Sequence, residues 1–489
     1  MKVDNGSDPK EVGHINTFHE NLTEWLWRND KDCGEIPNIT LASTPWMYRG
    51  EGNANLVISL PREKVIIRLQ KLEYDVKITK SLLEEKEKKL IRDVEFYRKV
   101  MFVLLGTTFL HPPILARISD KEVSEIDQKL YTIRPRYRLS KGIRLGLLTI
   151  HPDYTHLPAI VKPLSTINYN ESSLIMTNSP TYCIEIKPKQ GWIPLLDRKH
   201  PKCTFCMNQY LKVMEKRVRR ISQYCPLDLF SGNIIRMKRA IRNLLLNPQN
   251  NLKIFKNGNL VFSDDSEESY EEVLIDFFKL ENRSEVNIER LVDRWCSLII
   301  TCLCTRFSNI KSTTSSCFGN EITSKLQTYP KSHSSFSPLN GHIKSCDWSK
   351  PQQLPTHSIL QKILEVQQLQ NFSFSTVSSL YRERYANEND YSYLDSLLHA
   401  NENLDIIQRY LLATTAKDCS IFIALQRSDH LDLPHKAYNV KDCEGQEYRL
   451  NIGISDIDPK PLSCINKHIK RDREVLDAVL RTVQHSKTV

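Results

Sequence analysis

Two lysines flank a proline at the end of a strand-like run, where they could bind an anion. The run Tyr182–Trp192 reads YCIEIKPKQGW, and its first half is rich in β-prone residues. Side chains two apart in a strand share a face, so Lys187 and Lys189 are predicted to project together. Pro188 cannot donate a ladder hydrogen bond, so pairing is expected to stop there. Because like charges repel, the pair indicates either a solvated strand end or an anion site.

Carboxylates at two other strand-like segments could act in acid–base or metal chemistry. Asp418 directly precedes an apolar run in AKDCSIFIAL, and Asp456 and Asp458 lie two apart in ISDIDPKP. In extended chain the latter two share a face and offer hard oxygens to Mg²⁺. Lys460 follows them closely, and phosphate and metal together require opposite charges near each other. Such acidic pairs also occur without a function.

A glycine pair precedes another strand-like run. Gly50 and Gly52 in RGEGN would let backbone amides approach a phosphate, although most Gly-x-Gly turns are only turns. Downstream, KVIIRLQK places Arg68 among apolar residues, where a buried guanidinium needs a partner. A nucleotide phosphate and a helix glutamate are both candidates.

Soft nitrogen and sulfur ligands form a third constellation. The stretch KHPKCTFC has the spacing H-x2-C-x2-C, and a further cysteine follows in YCPLDL. Four such ligands suit tetrahedral Zn²⁺. The predicted set is His200, Cys203, Cys206 and Cys225. The alternative is a group of buried thiols that bind no metal.

The elements that would position these residues can be predicted from periodicity. Met47–Leu60 is predicted to form a turn and a strand, Lys64–Lys71 a second strand, and Ser81–Val103 a charged helix. This order resembles the small lobe of a kinase-like fold. Asn257-Gly258 between apolar runs predicts a hairpin. Met207–Gln223 is predicted to form an amphipathic helix, so that the basic run EKRVRR lies on its solvated face.

The second half of the chain contains a compositionally distinct segment. Residues 309–357 are rich in Ser, Thr, Pro, Asn and Lys, and predict a disordered or loosely held insertion. Helices are expected at Ser358–Gln370 and Leu394–Thr415, and strands at Asp418–Gln426 and Tyr448–Asp458.

Composition bounds the class of protein. The 489 residues exceed one ordinary core, and the net charge of +10 suits an acidic ligand. No signal peptide is predicted, and the longest uncharged run, Val100–Ala116, is interrupted by two prolines, which argues against a membrane span. The odd count of 13 cysteines favours a reducing compartment. We therefore expect an intracellular soluble protein, cytoplasmic and nuclear, that is a monomer.

Seven stretches together resemble the inositol-pentakisphosphate 2-kinase family. They are YRGEGNANLV, EIKPKQGW, CMNQYLK, CPLDLFSGN, NNLKIFKNG, TAKDCSIFIAL and DIDPKP, in the family's order over positions 46 to 468. The resemblance implies an α+β, two-lobed kinase-like fold of the inositol polyphosphate kinase type, with a large irregular insertion. It also implies an N-lobe at 40–180, a C-lobe at 181–489, and ATP-dependent phosphorylation of the 2-hydroxyl of inositol 1,3,4,5,6-pentakisphosphate to inositol hexakisphosphate (phytate).

The resemblance also implies roles for individual residues. The ATP phosphates would be bound by Gly50, Glu51, Gly52, Asn53 and Arg68. Lys187 would contact the transferred phosphoryl, and Asp418 would face the accepting hydroxyl as a base or an orienting group. The inositide would be bound by Arg134, Lys189, Lys212, Asn251 and Lys460. Asp456, helped by Asp458, would bind Mg²⁺, and the His200 set resembles the zinc arrangement of animal members.

The sequence departs from the family pattern in places. Asn208 stands where many members have histidine, and Ser463 and Cys464 replace expected positive charge. No CxxC lies within 309–357, where plant members have a zinc site. The adenine-binding residues are expected within Pro158–Ile167.

The sequence is also compatible with two rival hypotheses. One is a zinc-stabilised nucleic-acid-binding protein, which would use the ten Lys and Arg residues between Lys187 and Arg220. Asp418 and Asp456 distinguish this hypothesis from a kinase, because a nucleic-acid binder does not need carboxylates that bind Mg²⁺ beside its basic patch. We therefore expect no stable nucleic-acid partner. The other is a catalytically inactive scaffold.

Overall fold

The apolar runs around the glycine pair form an antiparallel sheet in the computed structural model. The structure describes residues 36–42, 44–157, 179–280, 286–307, 343–399, 403–428 and 438–485. These belong to two compact units. Unit 1 is formed within Met1–Val94 and Pro113–Asp153, and unit 2 within Glu95–Pro112, Tyr154–Pro158 and Ser172–Val489.

Unit 1 is built on a five-stranded sheet in the order β1-β2-β3-β5-β4. Its strands are β1 (Met47–Glu51), β2 (Asn55–Leu60), β3 (Val65–Glu73), β4 (Ile114–Arg117) and β5 (Lys141–Pro152). Strand β3 alternates buried and partly exposed side chains, as expected for a half-buried strand. The charged helix α1 (Lys80–Phe96) belongs to unit 1 up to Val94, and the π-helical turn and the short α2 (Phe102–Leu105) that follow it belong to unit 2.

Helix α3 (Asp120–Tyr131) covers the core of unit 1. A capping box begins it, because the Ser119 side chain accepts from the amide of Glu122, whose own side chain returns to Ser119. Val123, Ile126 and Leu130 then fall on one helix face and pack against the buried side chains of the sheet.

Unit 2 is built on a six-stranded antiparallel sheet in the order β10-β11-β9-β6-β7-β8. Its strands are β6 (Thr181–Ile186), β7 (Leu252–Lys256), β8 (Asn259–Phe262), β9 (Ser420–Arg427), β10 (Tyr438–Lys441) and β11 (Glu447–Ser455). All six residues of β6 are buried. Asn257 and Gly258 have φ values of 48° and 80°, which confirms the predicted hairpin between β7 and β8.

Helices pack around this sheet and bury an extended apolar core that includes Trp295. They are α4 (Thr204–Met214), α5 (Pro226–Leu229), α6 (Ile234–Leu246), α7 (Tyr270–Phe277), α8 (Ile288–Cys304), α9 (Ile359–Gln367), α10 (Phe374–Leu380), α11 (Ser392–His399), α12 (Ile406–Asp418) and α13 (Cys464–His485). Asp418 therefore ends a helix, two residues before β9 begins, instead of starting the strand as predicted.

The predicted helix Met207–Gln223 is shorter than expected. Helix α4 ends at Met214, and Lys216 has a φ of 56°, a left-handed conformation typical of residues that follow a helix end. The basic run EKRVRR is consequently not on a helix face.

The α+β prediction with a two-part architecture is confirmed. Of the predicted insertion at 309–357, residues up to 342 lie outside the described part, whereas 343–357 are described. The segment Pro158–Ile167 also lies outside it. Within the described ranges, no helix combines the length and the apolarity that crossing a membrane requires.

Candidate active site and cysteine cluster

The pairing of the strands brings three strand ends together in unit 2. Strand β9 lies between β6 and β11, and Ser420 at its start is opposite Ser455 at the end of β11. Next to it, Ile421 is opposite Ile186, the last residue of β6. The residues that follow β6 and β11 therefore meet those that precede β9.

The two lysines after β6 contact different carboxylates. Lys187 Nζ lies 3.0 Å from Asp456 Oδ2, and Lys189 Nζ lies 2.9 Å from Asp418 Oδ1. Lys189 has a φ of 61°, so the strand does not continue through it and the prediction of one shared strand face does not hold. This conformation costs a lysine on the order of 1–3 kcal/mol, and such strain concentrates at functional sites.

Asp418 is bracketed by two ammonium groups. Lys189 donates to its Oδ1 and Lys460 to its Oδ2, each at 2.9 Å. Burial raises the pKa of Asp418, but Lys189 and Lys460 outweigh burial and hold it well below its usual range. The carboxylate is thus ionised at physiological pH although it lies at a helix C-terminus, where the helix dipole disfavours negative charge.

Lys187 belongs to a second charged group. Its ammonium lies 3.9 Å from Glu185 as well as 3.0 Å from Asp456, and Ser420 Oγ donates to either carboxylate at 3.0 and 2.9 Å. Burial lowers the pKa of Lys187, and the two carboxylates outweigh it and raise the pKa above its usual value. The sequence interpretation missed Glu185 and Ser420. A glutamate inside the apolar run YCIEI was the available signal.

The DxD pair does not continue its strand. Strand β11 ends at Ser455, and Asp456 has a φ of 61°, so the extended geometry assumed for Asp456 and Asp458 is absent. Asp458 is exposed on the following loop. The carboxylate that contacts Ser420 Oγ together with Asp456 is Glu185 and not Asp458.

Lys212 lies in a locally positive environment. Its Nζ donates to Gln249 Oε1 at 3.3 Å. Burial lowers the pKa of Lys212, and the charges of Lys189, Arg217 and Arg471 lower it further. An ammonium group whose charged form is disfavoured by burial and by neighbouring cations gains from binding an anion.

Helix α13 supplies a cation that the sequence interpretation missed. Arg471 donates through Nε to Asn208 Oδ1 at 3.1 Å. Asn208, which stands where many family members have histidine, is thus hydrogen-bonded to Arg471. Arg471 also forms ion pairs with Glu215 and Glu474, at 3.2 and 3.6 Å.

Asn251 contributes through its backbone. Its carbonyl accepts the amide of Lys187 at 2.9 Å and so fixes the start of the lysine loop. The side chain is buried, and its Nδ2 and Oδ1 have no hydrogen-bond partner within the described ranges. Unsatisfied buried polar atoms are rare and often mark a functional position.

In unit 1, the glycine hairpin rests on a buried ion pair. Arg134 Nε and Nη2 donate to the two oxygens of Glu51 at 2.8 and 2.9 Å, and Lys71 contacts the same carboxylate. The Arg134 side chain has 0% exposure. Two cations therefore share one carboxylate, and Arg134 Nη1 has no hydrogen-bond partner within the described ranges. The contacts of Arg134 with the inositide and of Glu51 with the nucleotide stay predictions. Arg136, two residues further along the chain, is exposed.

The remaining nucleotide candidates lie at the surface of the same sheet. Gly52 donates its amide to the Asn55 carbonyl at 2.9 Å, within the turn between β1 and β2, and Asn53 is exposed at the tip. Arg68 lies in mid-β3, opposite Thr149 of β5, and is partly exposed.

Four cysteines converge elsewhere in unit 2. Cys203, Cys206, Cys225 and Cys346 have all their sulfur atoms within 4.8 Å of one another. Cys225 Sγ lies 4.0 Å from Cys203 Sγ and 3.8 Å from Cys346 Sγ. Four sulfurs about 2.3 Å from a tetrahedral Zn²⁺ would be about 3.8 Å apart, so the cluster fits this metal.

Backbone contacts orient the cluster. The amides of Cys206 and Cys203 point at the sulfurs of Cys203 and Cys346, at 3.5 and 3.4 Å. Amides directed at sulfur stabilise the thiolates that zinc requires. The structure therefore places Cys346 in the position predicted for His200, which is not part of the cluster. The reason is a long-range contact, because the Cys346 amide donates to the Pro201 carbonyl at 2.8 Å.

The fold and the charged groups define a class. Lysines that neutralise phosphates, next to carboxylates that can face a hydroxyl or a metal, are what phosphoryl transfer requires. Together with the two antiparallel sheets they characterise a kinase-like phosphotransferase.

The chain belongs to the inositol-pentakisphosphate 2-kinase family, whose sequence profile matches residues 48–474. Inositol-pentakisphosphate 2-kinase of Danio rerio is 29% identical over 490 residues, covering 90% of this chain and 94% of the relative. The protein of the same name from Arabidopsis thaliana is 25% identical, covering 89% and 93%. The predicted resemblance is confirmed, and the family favours a kinase over the nucleic-acid-binding alternative.

Proposed function

We propose that this chain transfers the γ-phosphoryl of ATP to the 2-hydroxyl of inositol 1,3,4,5,6-pentakisphosphate, giving inositol hexakisphosphate. Membership of the family gives the 2-kinase activity. The observation that supports the location of the chemistry is Asp418 held between Lys189 and Lys460, with the Lys187–Asp456 pair at the neighbouring strand ends.

In this proposal Asp418 orients the accepting hydroxyl. A carboxylate whose pKa is far below the working pH is a weak general base. In a loose phosphoryl-transfer transition state the hydroxyl proton need not leave early, so orientation matters more than basicity. The hydroxyl oxygen attacks phosphorus, the bond to the ADP oxygen breaks, and Asp418 can accept the hydroxyl proton late in the step.

The cations would bind the phosphates. Five phosphates carry roughly −8 to −10 charge at pH 7, at about −1.5 to −2 each. Lys187 would neutralise the transferred group, and Lys189, Lys212 and Lys460 would bind inositide phosphates. The polar side chain of the buried Asn251 would support this site. In unit 1, Asn53 at the hairpin tip and Arg68 would contact the nucleotide, with Gly50 and Gly52 shaping the turn.

The activity assay is direct. Purified chain is incubated with ATP, Mg²⁺ and inositol pentakisphosphate, and the products are separated by chromatography. We expect inositol hexakisphosphate to form. Its absence from folded protein would support the inactive-scaffold hypothesis. Monomeric state and a cytoplasmic and nuclear location remain predictions.

We infer that Asp456 and Glu185 hold Mg²⁺, with Asp458 nearby. Ser420 Oγ lies within hydrogen-bond distance of both carboxylates, and their hard oxygens suit this ion. The bound ion would supply neutralisation of phosphate charge.

Replacing Asp456 by Asn should therefore increase the Mg²⁺ concentration needed for half-maximal activity and lower kcat about 10²-fold. A titration of initial rate against Mg²⁺ measures both quantities. Asp458→Asn serves as the comparison, because its exposed carboxylate should matter less. Wild-type Mg²⁺ dependence in a folded Asp456→Asn protein would refute the metal assignment.

We infer that one structural Zn²⁺ is held by Cys203, Cys206, Cys225 and Cys346. All four ligands come from the protein, so no coordination position remains for a substrate. The ion would tie the segment around Cys346 to the start of α4.

Cys346→Ser should remove the zinc and lower the free energy of unfolding by about 3 kcal/mol or more. Zinc content by elemental analysis and thermal unfolding test this together. His200→Asn is the matched control and should retain one zinc per chain. If His200→Asn loses the metal and Cys346→Ser keeps it, the ligands are instead His200, Cys203, Cys206 and Cys225.

A further inference from the structure

A buried glutamine bonds to two separate chain segments. Gln367, the last residue of α9, has 0% exposure. Its Oε1 accepts the amides of Gly191 and Trp192 at 2.8 and 3.2 Å. Its Nε2 donates to the carbonyls of Lys189 and Ala416 at 3.0 and 3.3 Å. One side-chain amide is thus fully used on backbone groups of both segments.

These segments carry the two partners of an ion pair. Lys189 is itself one contact, and its left-handed backbone is held at the carbonyl. Ala416 lies in the last turn of α12, two residues before Asp418. The ammonium of Lys189 meets the Asp418 carboxylate at 2.9 Å. Gln367 therefore fixes the backbone on both sides of this contact.

The lysine loop has further anchors on its other side. The amide of Lys187 donates to Asn251, and Tyr224 Oη donates to the Pro188 carbonyl at 2.7 Å. Gly191 lies against Phe230 so closely that a Cβ would come within 2.1 Å of the ring. These contacts hold the loop, and among them the Gln367 amide alone also reaches α12.

We propose that Gln367 is a positioning residue for phosphoryl transfer, which keeps Lys189 and Asp418 in register without touching the substrate. The proposal rests on the roles assigned to these two residues above. A displacement of about 1 Å in a reacting site can cost about 10²-fold in rate. A side chain that holds the backbone next to both Lys189 and Asp418 therefore protects the rate. Only a primary amide supplies two donors and an acceptor here, which explains why a buried glutamine occupies the position.

Two variants separate positioning from general stability. Gln367→Glu keeps the acceptor for Gly191 and Trp192 but loses the donors, and Gln367→Asn keeps the chemistry but is too short to bridge both segments. Gln408→Glu is the matched control, because Gln408 is 6% exposed and its side chain donates to Ser396. It lies ten residues from Asp418 on α12, about 15 Å away.

We expect both Gln367 variants to lower kcat about tenfold to hundredfold, whereas Gln408→Glu loses similar thermal stability with kcat unchanged. A double-mutant cycle with Lys189→Met adds a readout that lost stability does not move. If Gln367 acts through Lys189, the effect of Lys189→Met on kcat/KM should shrink in the Gln367→Glu background. If that variant does not fold, Gln367→Asn carries the same cycle.

The two levels of the hypothesis can fail separately. Wild-type kinetics in Lys189→Met and Asp418→Asn would refute the proposed site itself. Impaired kinetics in those two, combined with folded Gln367 variants that match Gln408→Glu or give additive cycles, would overturn the positioning role alone.

Discussion

Asp418→Asn is expected to lower kcat by about 10²- to 10⁴-fold while the protein stays folded. The substitution keeps the side-chain shape but removes the charge that Lys189 and Lys460 hold ionised and that would orient the accepting hydroxyl. Steady-state kinetics with inositol pentakisphosphate measure the effect. Because the carboxylate is about half exposed, we expect its loss to change the thermal midpoint little.

Asp276→Asn provides a matched control. Asp276 is a half-exposed carboxylate that contacts Lys256 and Tyr182, near the opposite end of β6 from the lysine loop. This variant should retain wild-type kcat. Equal activity in Asp418→Asn and Asp276→Asn would remove Asp418 from the mechanism.

The depressed pKa of Asp418 also has a consequence for pH dependence. A carboxyl group held below its usual range stays ionised as pH falls through 4 or 5, so it should not set an acid limb near neutrality. In Lys189→Met one of the two neighbouring cations is gone, and the pKa of Asp418 must rise. We expect the acid limb of kcat/KM in this variant to move to higher pH.

The second large effect is expected at Lys187. Lys187→Met should lower kcat about 10²- to 10³-fold, as for other preorganised charge donors, because the ammonium would stabilise charge that develops on the transferred phosphoryl. Lys189→Met should instead act mainly on KM, since a contact to a fixed inositide phosphate is equally strong in ground and transition states.

Lys256→Met controls for the loss of a surface ion pair in the same unit. Its partner is Asp276, and it should leave both kcat and KM at wild-type values. Circular dichroism checks that each variant is folded. Unchanged kcat and KM in Lys187→Met and Lys189→Met would mean that these lysines are only a solvated strand end, and would refute the mechanism proposed here.

Local chemistry in the sequence determined most of the elements and the family, although it placed the end of α4 and the position of Asp418 wrongly. Backbone sterics explain the Asn257-Gly258 turn, and side-chain periodicity explains the alternating burial along β3. Both are short-range effects that can be seen in the sequence. The seven stretches in family order were sufficient for the family itself, which the profile match over 48–474 confirms.

Tertiary structure decided which residues share a site. Lys187 and Asp456 are 269 positions apart, and they meet because β9 pairs with both β6 and β11. Likewise, the sequence shows that Arg134 is a cation but not that it is buried against Glu51, 83 positions away. Periodicity gives the face of a side chain, whereas its partner depends on strand order, which the sequence does not display.

The cysteine cluster and the glutamine anchor show the same limit. His200 has suitable spacing from Cys203, yet Cys346 closes the cluster from 121 positions beyond Cys225. Gln367 carries no motif, and its role arises only where α9 ends beside the lysine loop and α12. Sequence patterns identified the chemistry available to this chain, and long-range packing selected which groups perform it, because ligand sets and buried amides are defined by distances in space.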